Sequence, residues 1–245
     1  MNLKKTSIRS TLGLLLLLTF AWGVRAHTMW IEAPFTGRIG EPQPVKIRFG
    51  EFSLRMITAT RQWFSDIADC QLMLLAPDGT TVTLDKTKAD SCYTASFTPH
   101  TEGWYLLYFE HTVRDLYEGM HITYQAQSWV KVGNPTGLPD VASPFSNGRL
   151  ILPPLTPFRL NETTEVRLTE GGKPATARRF TLTADNGWRK NLRTDGTTGT
   201  ATTRLIFPAH FLYEWTQQIP VDDASRRLSP DHRSEYINLC YYFDL

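Results

Sequence analysis

The sequence predicts an all-β protein: two β-sandwich domains of Ig-like or transthyretin-like type, behind a cleaved signal peptide. Three observations carry that prediction. Aromatic residues make up 12% of the 245 positions, beside 16 Gly and 15 Pro, a mixture that favours strands and turns over long helices. Short segments alternate apolar and polar residues at the two-residue period of a half-buried strand, with turn residues between them. One aperiodic, proline-bearing stretch then divides the chain.

The first 26 residues read as a targeting signal. Lys4, Lys5 and Arg9 give a basic start. The apolar run from Leu12 to Trp22 is about half of the ~20 residues needed to span a bilayer. Val24 and Ala26 stand at −3 and −1 of a small-x-small cleavage site. Cleavage after Ala26 makes His27 the first residue and implies export to an oxidising compartment. It removes four basic residues and no acidic one from totals of 26 and 24, leaving 22 against 24. No basic field for nucleic acid remains, and no later stretch reads as a membrane span.

Residues 27–133 are expected to form the first sandwich. Thr28 to Glu32 is a short strand stopped by Pro34, and Val45 to Phe49 alternates apolar with charged residues. Residues 53–69 are irregular, with Met56 to Phe64 expected as a short helix or lid held down by Trp63 and Phe64. Pro77-Asp78-Gly79 turns one strand into the next. In the long strand after His121, Ile122, Tyr124, Ala126, Ser128, Val130 and Val132 share one face. Thr123, Gln125, Gln127 and Lys131 share the other and are expected to be solvated. Cys70 and Cys92 flank a predicted hairpin and are the expected disulfide, closing a loop of ~20 residues; Cys240, in the last apolar strand, is expected to be a buried thiol. Residues 134–147 are expected to be a linker and 148–245 the second sandwich, with strands around Thr164–Leu168, Phe180–Ala184, Ala201–Phe207, Phe211–Thr216 and Tyr236–Phe243. The polar stretch 217–233 reads as a long loop.

Several motifs line up along this frame. The first domain opens Ala26-His27-Thr28-Met29-Trp30-Ile31-Glu32-Ala33-Pro34, continues through Arg48-Phe49-Gly50-Glu51-Phe52 and closes on Val130-Lys131-Val132-Gly133. The second carries Leu150-Ile151-Leu152-Pro153, Pro157-Phe158-Arg159-Leu160 and Gly172-Lys173-Pro174-Ala175. In these the chain resembles a periplasmic family of unknown-function domains associated with nickel and cobalt uptake, of the nickel-transport-complex subunit kind. The resemblance implies two β-sandwiches and a periplasmic protein that helps a divalent transition metal across the envelope. A membrane metal transporter or an outer-membrane receptor would be its partner.

The residues themselves offer a metal site. Cleavage would expose the α-amine of His27 beside its imidazole, a bidentate nitrogen pair suited to Ni, Co or Cu. His111 and His121 bracket one loop and are the candidate further ligands, with Glu51 and Glu110 as oxygen donors or supporting contacts. His100 follows a proline at a turn, while His210 and His232 fall in the second half. No Gly-x-Ser-x-Gly elbow, His-Glu-x-x-His helix or phosphate loop is present, so the chain is not expected to be an enzyme. Two other readings remain open. A carbohydrate-binding or adhesive module would use Trp63, Trp188 and Trp215 as stacking platforms. A copper monooxygenase would hold copper on an amino-terminal histidine with His111 or His121.

Overall fold

The computed structural model describes residues 27–245; the expected signal peptide and cleavage site lie outside the described residues. The first half of the chain contains β1 (Thr28–Glu32), β2 (Thr36–Gly37), β3 (Gln43–Glu51), β4 (Met56–Ile57), β5 (Met73–Leu75), β6 (Thr81–Thr83), β7 (Thr87–Lys88), β8 (Tyr93–Phe97), β9 (Gly103–Thr112) and β10 (Met120–Val132). The second half contains β11 (Arg149–Leu152), β12 (Thr163–Glu170), β13 (Lys173–Pro174), β14 (Arg179–Ala184), β15 (Arg189–Arg193), β16 (Thr200–Arg204), β17 (His210–Pro220), a short helix α1 (Asp223–Leu228) and β18 (Ser234–Asp244). The protein is all-β with sandwich packing, as its composition predicts.

Among the described residues the strands form three sheets. A five-stranded sheet runs β1-β3-β8-β7, with β4 on β3. A four-stranded sheet runs β11-β12-β13, with β16 also on β12. The third has nine strands in the order β15-β14-β17-β18-β10-β9-β5-β6, with β2 on β10. It passes through both halves of the chain, because β10 and β18 pair in parallel from Met120 opposite Ser234 to Gln127 opposite Tyr241.

The alternation of β10 decides what packs where. Ile122, Tyr124, Ala126, Val130 and Val132 join a core with Met29, Ile31, Val45 and Ile47 of the five-stranded sheet. On the other face, Trp129 joins a core with Leu150, Ile151, Val166 and Leu168 of the four-stranded sheet. The two small sheets thus cover opposite faces of the large one, burying apolar area on both sides.

Gln125 and Gln127 were expected to face water and are instead fully buried. Gln127 Nε2 donates to the Ile151 carbonyl at 2.5 Å, and the Ile151 amide donates back to Gln127 Oε1 at 3.1 Å. A side-chain amide here satisfies both polar groups of a residue in β11, the edge strand of its sheet, as a neighbouring strand would. Buried position, not polarity, decides the face, because that amide has a complete partner.

The expected Cys70–Cys92 disulfide is absent: Cys70, Cys92 and Cys240 are all buried free thiols. The two cysteines do not flank one hairpin. Cys70 leads towards β5, in the nine-stranded sheet, while Cys92 leads into β8, in the five-stranded one. Cys70 Sγ instead lies 3.5 Å from Lys86 Nζ, which also donates to the carbonyls of Ala68 and Cys70.

Three segments expected to be irregular are more ordered. Residues 53–69 contain two 3-10 turns, Thr60–Gln62 and Ile67–Asp69, and Trp63 and Ile67 pin them to the core. The polar stretch 217–233 extends β17 to Pro220 and then forms α1. In the connecting stretch 134–147, Phe145 is buried, and Trp104 Nε1 donates to the Gly137 carbonyl at 2.8 Å. No helix among the described residues is long and apolar enough to cross a membrane.

Candidate metal centre

The candidate ligands from the sequence are not brought together. His27 is exposed at the start of β1, its ring 5.3 Å from that of Phe49. Its carbonyl accepts a hydrogen bond from the Tyr124 hydroxyl at 3.3 Å. His111 lies on β9, where Tyr105, Leu107 and Phe109 of the same parity point into the core shared with the five-stranded sheet. Its Nε2 is 3.3 Å from Asp66 Oδ1. Burial pushes the Asp66 carboxyl up. The Arg114 amide and His111 outweigh that and hold it below the usual carboxylate range.

His121 takes the other face. Met120, Ile122 and Tyr124 line a cavity with His27, so the pleat turns His121 away from it. Glu235 of β18 is directly opposite His121 in the parallel register, and its neighbours Ser234 and Tyr236 line the same cavity. His121 and Glu235 therefore share the opposite face. His111 and His121, which bracket one loop in sequence, end on opposite sides of the sheet.

Glu110 and Glu51 are engaged elsewhere. Glu110 accepts hydrogen bonds from the amide and hydroxyl of Ser146, anchoring the connection between the halves. Glu51 is buried and accepts from the Ser53 hydroxyl at 2.7 Å.

A different cluster forms at the start of β10 and β18. His121 Nδ1 is 3.3 Å from Glu235 Oε2, and His232 Nε2 is 3.0 Å from Glu235 Oε1. The imidazole rings meet edge to face with centroids 5.7 Å apart. One ligand atom from each of the three residues lies within 4.8 Å of the other two, the single such trio of His, Cys, Asp or Glu groups among the described residues. His232 Nε2 is close to the carboxylate but makes no hydrogen bond, although that atom is buried. Its near neighbour is the Glu235 carboxylate, an anion that a shared cation would bridge to it. The side chains of His121, His232 and Glu235 are 33%, 17% and 37% exposed, so the cluster is reachable from solvent.

The chemistry of the trio suits a divalent transition metal. Cis ligands around a metal at ~2.1 Å stand about 3.0–3.4 Å apart, which matches both nitrogen–oxygen separations. Two imidazoles and a carboxylate are a borderline donor set taken by Zn, Ni, Co or Cu, and three protein ligands leave further positions for water or an incoming donor.

Sequence reasoning passed over His232 and Glu235. Their i, i+3 spacing is visible in the sequence, but nothing local says that β18 pairs in parallel with β10. The tryptophans of the carbohydrate reading are largely covered: Trp63 and Trp215 are buried, and Trp188 packs on Phe207 and Phe211.

No protein-family model matches the chain, and no curated protein matches it. Among solved structures, it is similar to the crystal structure of trypsin-activated alpha-2-macroglobulin from Escherichia coli at 10% identity and a TM-score of 0.27. The alignment covers 89% of this chain and 16% of that one, a likeness too slight to carry an argument about activity. These comparisons do not bear on the resemblance to the nickel and cobalt uptake family.

Proposed function

We propose that this chain is a periplasmic divalent-metal-binding protein. It serves transition-metal transport by holding Ni, Co or Cu and releasing it to a membrane transporter or outer-membrane receptor. The observation that carries the reading is the His121–His232–Glu235 trio, in which the carboxylate lies within 3.3 Å of both imidazoles. An open three-ligand site exchanges its metal more readily than a closed four-ligand one, which suits a carrier. Imidazoles ligate only as neutral bases, so protons compete and release is favoured by acid.

Calorimetry on the processed chain beginning at His27 tests this. One equivalent of Ni²⁺, Co²⁺ or Cu²⁺ should bind, and His232→Ala or Glu235→Gln should weaken it by about 10- to 100-fold. Unchanged binding in both variants would sink the trio. A chain carrying one extra residue before His27 separates the two nitrogen sites. Loss of binding there moves the site to the amino terminus, because acylation removes the amine as a ligand.

A further inference from the structure

The cavity beside His27 is on the face of the sheet opposite the metal cluster. It has a volume of about 690 Å³, within the range of small-molecule sites. Its walls are aromatic: Phe49, Phe64, Tyr117, Tyr124 and Tyr236 line it with Ile122. The Phe64 and Tyr117 rings meet at 5.9 Å and those of Phe49 and Tyr124 at 6.0 Å, both nearly edge to face. Rings held this way present faces and edges to a flat guest.

The polar groups give the cavity a sign. Arg233 lines it and is exposed. No ion pair or hydrogen bond engages its guanidinium among the described residues. Its backbone is held: the Arg233 amide donates to the Gly119 carbonyl at 2.7 Å. A Cβ on Gly119, whose φ is +78°, would come within 2.9 Å of Arg233 Cδ. Glu118 lines the same cavity without pairing with Arg233. In a chain processed to begin at His27, which also lines the cavity, the α-amine would add a second cation to Arg233 against the single carboxylate of Glu118.

We propose that this cavity binds a planar aromatic carboxylate, its rings among the tyrosines and phenylalanines and its carboxylate on Arg233. Arginine presents two parallel N–H donors that match a carboxylate, and aromatic walls favour a flat guest over an aliphatic one of equal size. This site is separate from the metal-binding reading and does not rest on it.

The probe is 2-naphthoate, titrated into the processed chain by calorimetry with a chelator present, so that metal plays no part. Its neutral and cationic counterparts, 2-naphthamide and 2-naphthylmethylammonium, are titrated alongside. One naphthoate should bind per chain, about tenfold more tightly than the amide. Arg233→Gln should erase that preference and leave amide binding as it was. Ile122→Trp, which fills the cavity, should abolish both, with a melting curve confirming that the variant folds. If Ile122→Trp does not fold, ring-current shifts of bound naphthoate and their loss in Tyr236→Ala serve instead. Absence of naphthoate binding, equal affinity for the amide, or preference for the cation through Glu118 would each overturn the assignment.

Discussion

His121 and Glu235 occupy one register position of the parallel β10–β18 pair, with Nδ1 3.3 Å from Oε2. A residue from each half of the chain thus meets on one face of one sheet, and His232, just ahead of β18, completes the cluster.

A metal that binds only the folded chain must stabilise it. At a free concentration of 100 times Kd the gain is about 2.7 kcal/mol, or roughly 5–10 °C in Tm for a chain of this size. The shift should appear with Ni²⁺, Co²⁺ or Cu²⁺ in a thermal melt and fall to about half or less in His232→Ala at the same metal concentration. Lowering the pH should diminish it, because protons displace the metal from the imidazoles.

Gln127 holds β11 to the large sheet through both polar groups of Ile151. Gln127→Leu keeps the volume but leaves the Ile151 amide without its partner, while Trp129 Nε1 still donates to the carbonyl at 2.9 Å. A cost of about 1–3 kcal/mol follows, read as a lower urea midpoint at an unchanged slope. A loss below ~0.5 kcal/mol would mean that water or a neighbouring strand replaces the amide.

Glu170 joins β12 to two arginines. Its Oε1 lies 3.1 Å from Arg149 Nε and its Oε2 2.7 Å from Arg178 Nη2. Burial pushes this carboxyl up, but the hydrogen bonds from Arg149 and Arg178 outweigh it and hold it below the usual range. A lowered folded pKa stabilises above the unfolded value, near ~4.3, and the gain fades as pH falls through the folded one. Glu170→Gln should therefore cost about 1–3 kcal/mol at pH ~7, with the lower end favoured by solvent screening. The gap from the parent should close in acid. A gap that persists at low pH would mean that packing, not charge, is what the substitution removes.

The three cysteines give a direct chemical check. Unfolded without reductant, the chain should react with three equivalents of an alkylating agent, and reductant should leave Tm unchanged. In the folded state Cys70 should resist alkylation, since burial raises its thiol pKa. Mass spectrometry showing a Cys70–Cys92 crosslink in the native chain would contradict the free-thiol assignment.

What the sequence made legible was local. The alternation from Ile122 to Val132 marks a strand with two faces, and β10 is that strand. Its polar face was misjudged because Gln125 and Gln127 are buried by β11 and its approach, which no local pattern announces. The prolines of residues 134–147 say where regular pairing stops, not that Phe145 fills the core. The candidate site failed for a similar reason. Sequence proximity favoured His111 and His121, but strand parity sets them on opposite faces. His232 and Glu235 reach His121 only through a pairing between the two halves of the chain.

The parallel β10–β18 pair has a consequence for how the molecule is assembled. β18 lies in the middle of the largest sheet, between β17 and β10, so that sheet cannot close until this strand from the other half of the chain arrives. Closure over so long a loop is slow compared with local hairpins. Until then β10 and β17 each present an unpaired edge, the kind of surface on which chains aggregate. A chain cut short before Ser234 would lose the strand that joins β10 to β17, leaving the packing of β11 and β12 against β10 to hold the halves together.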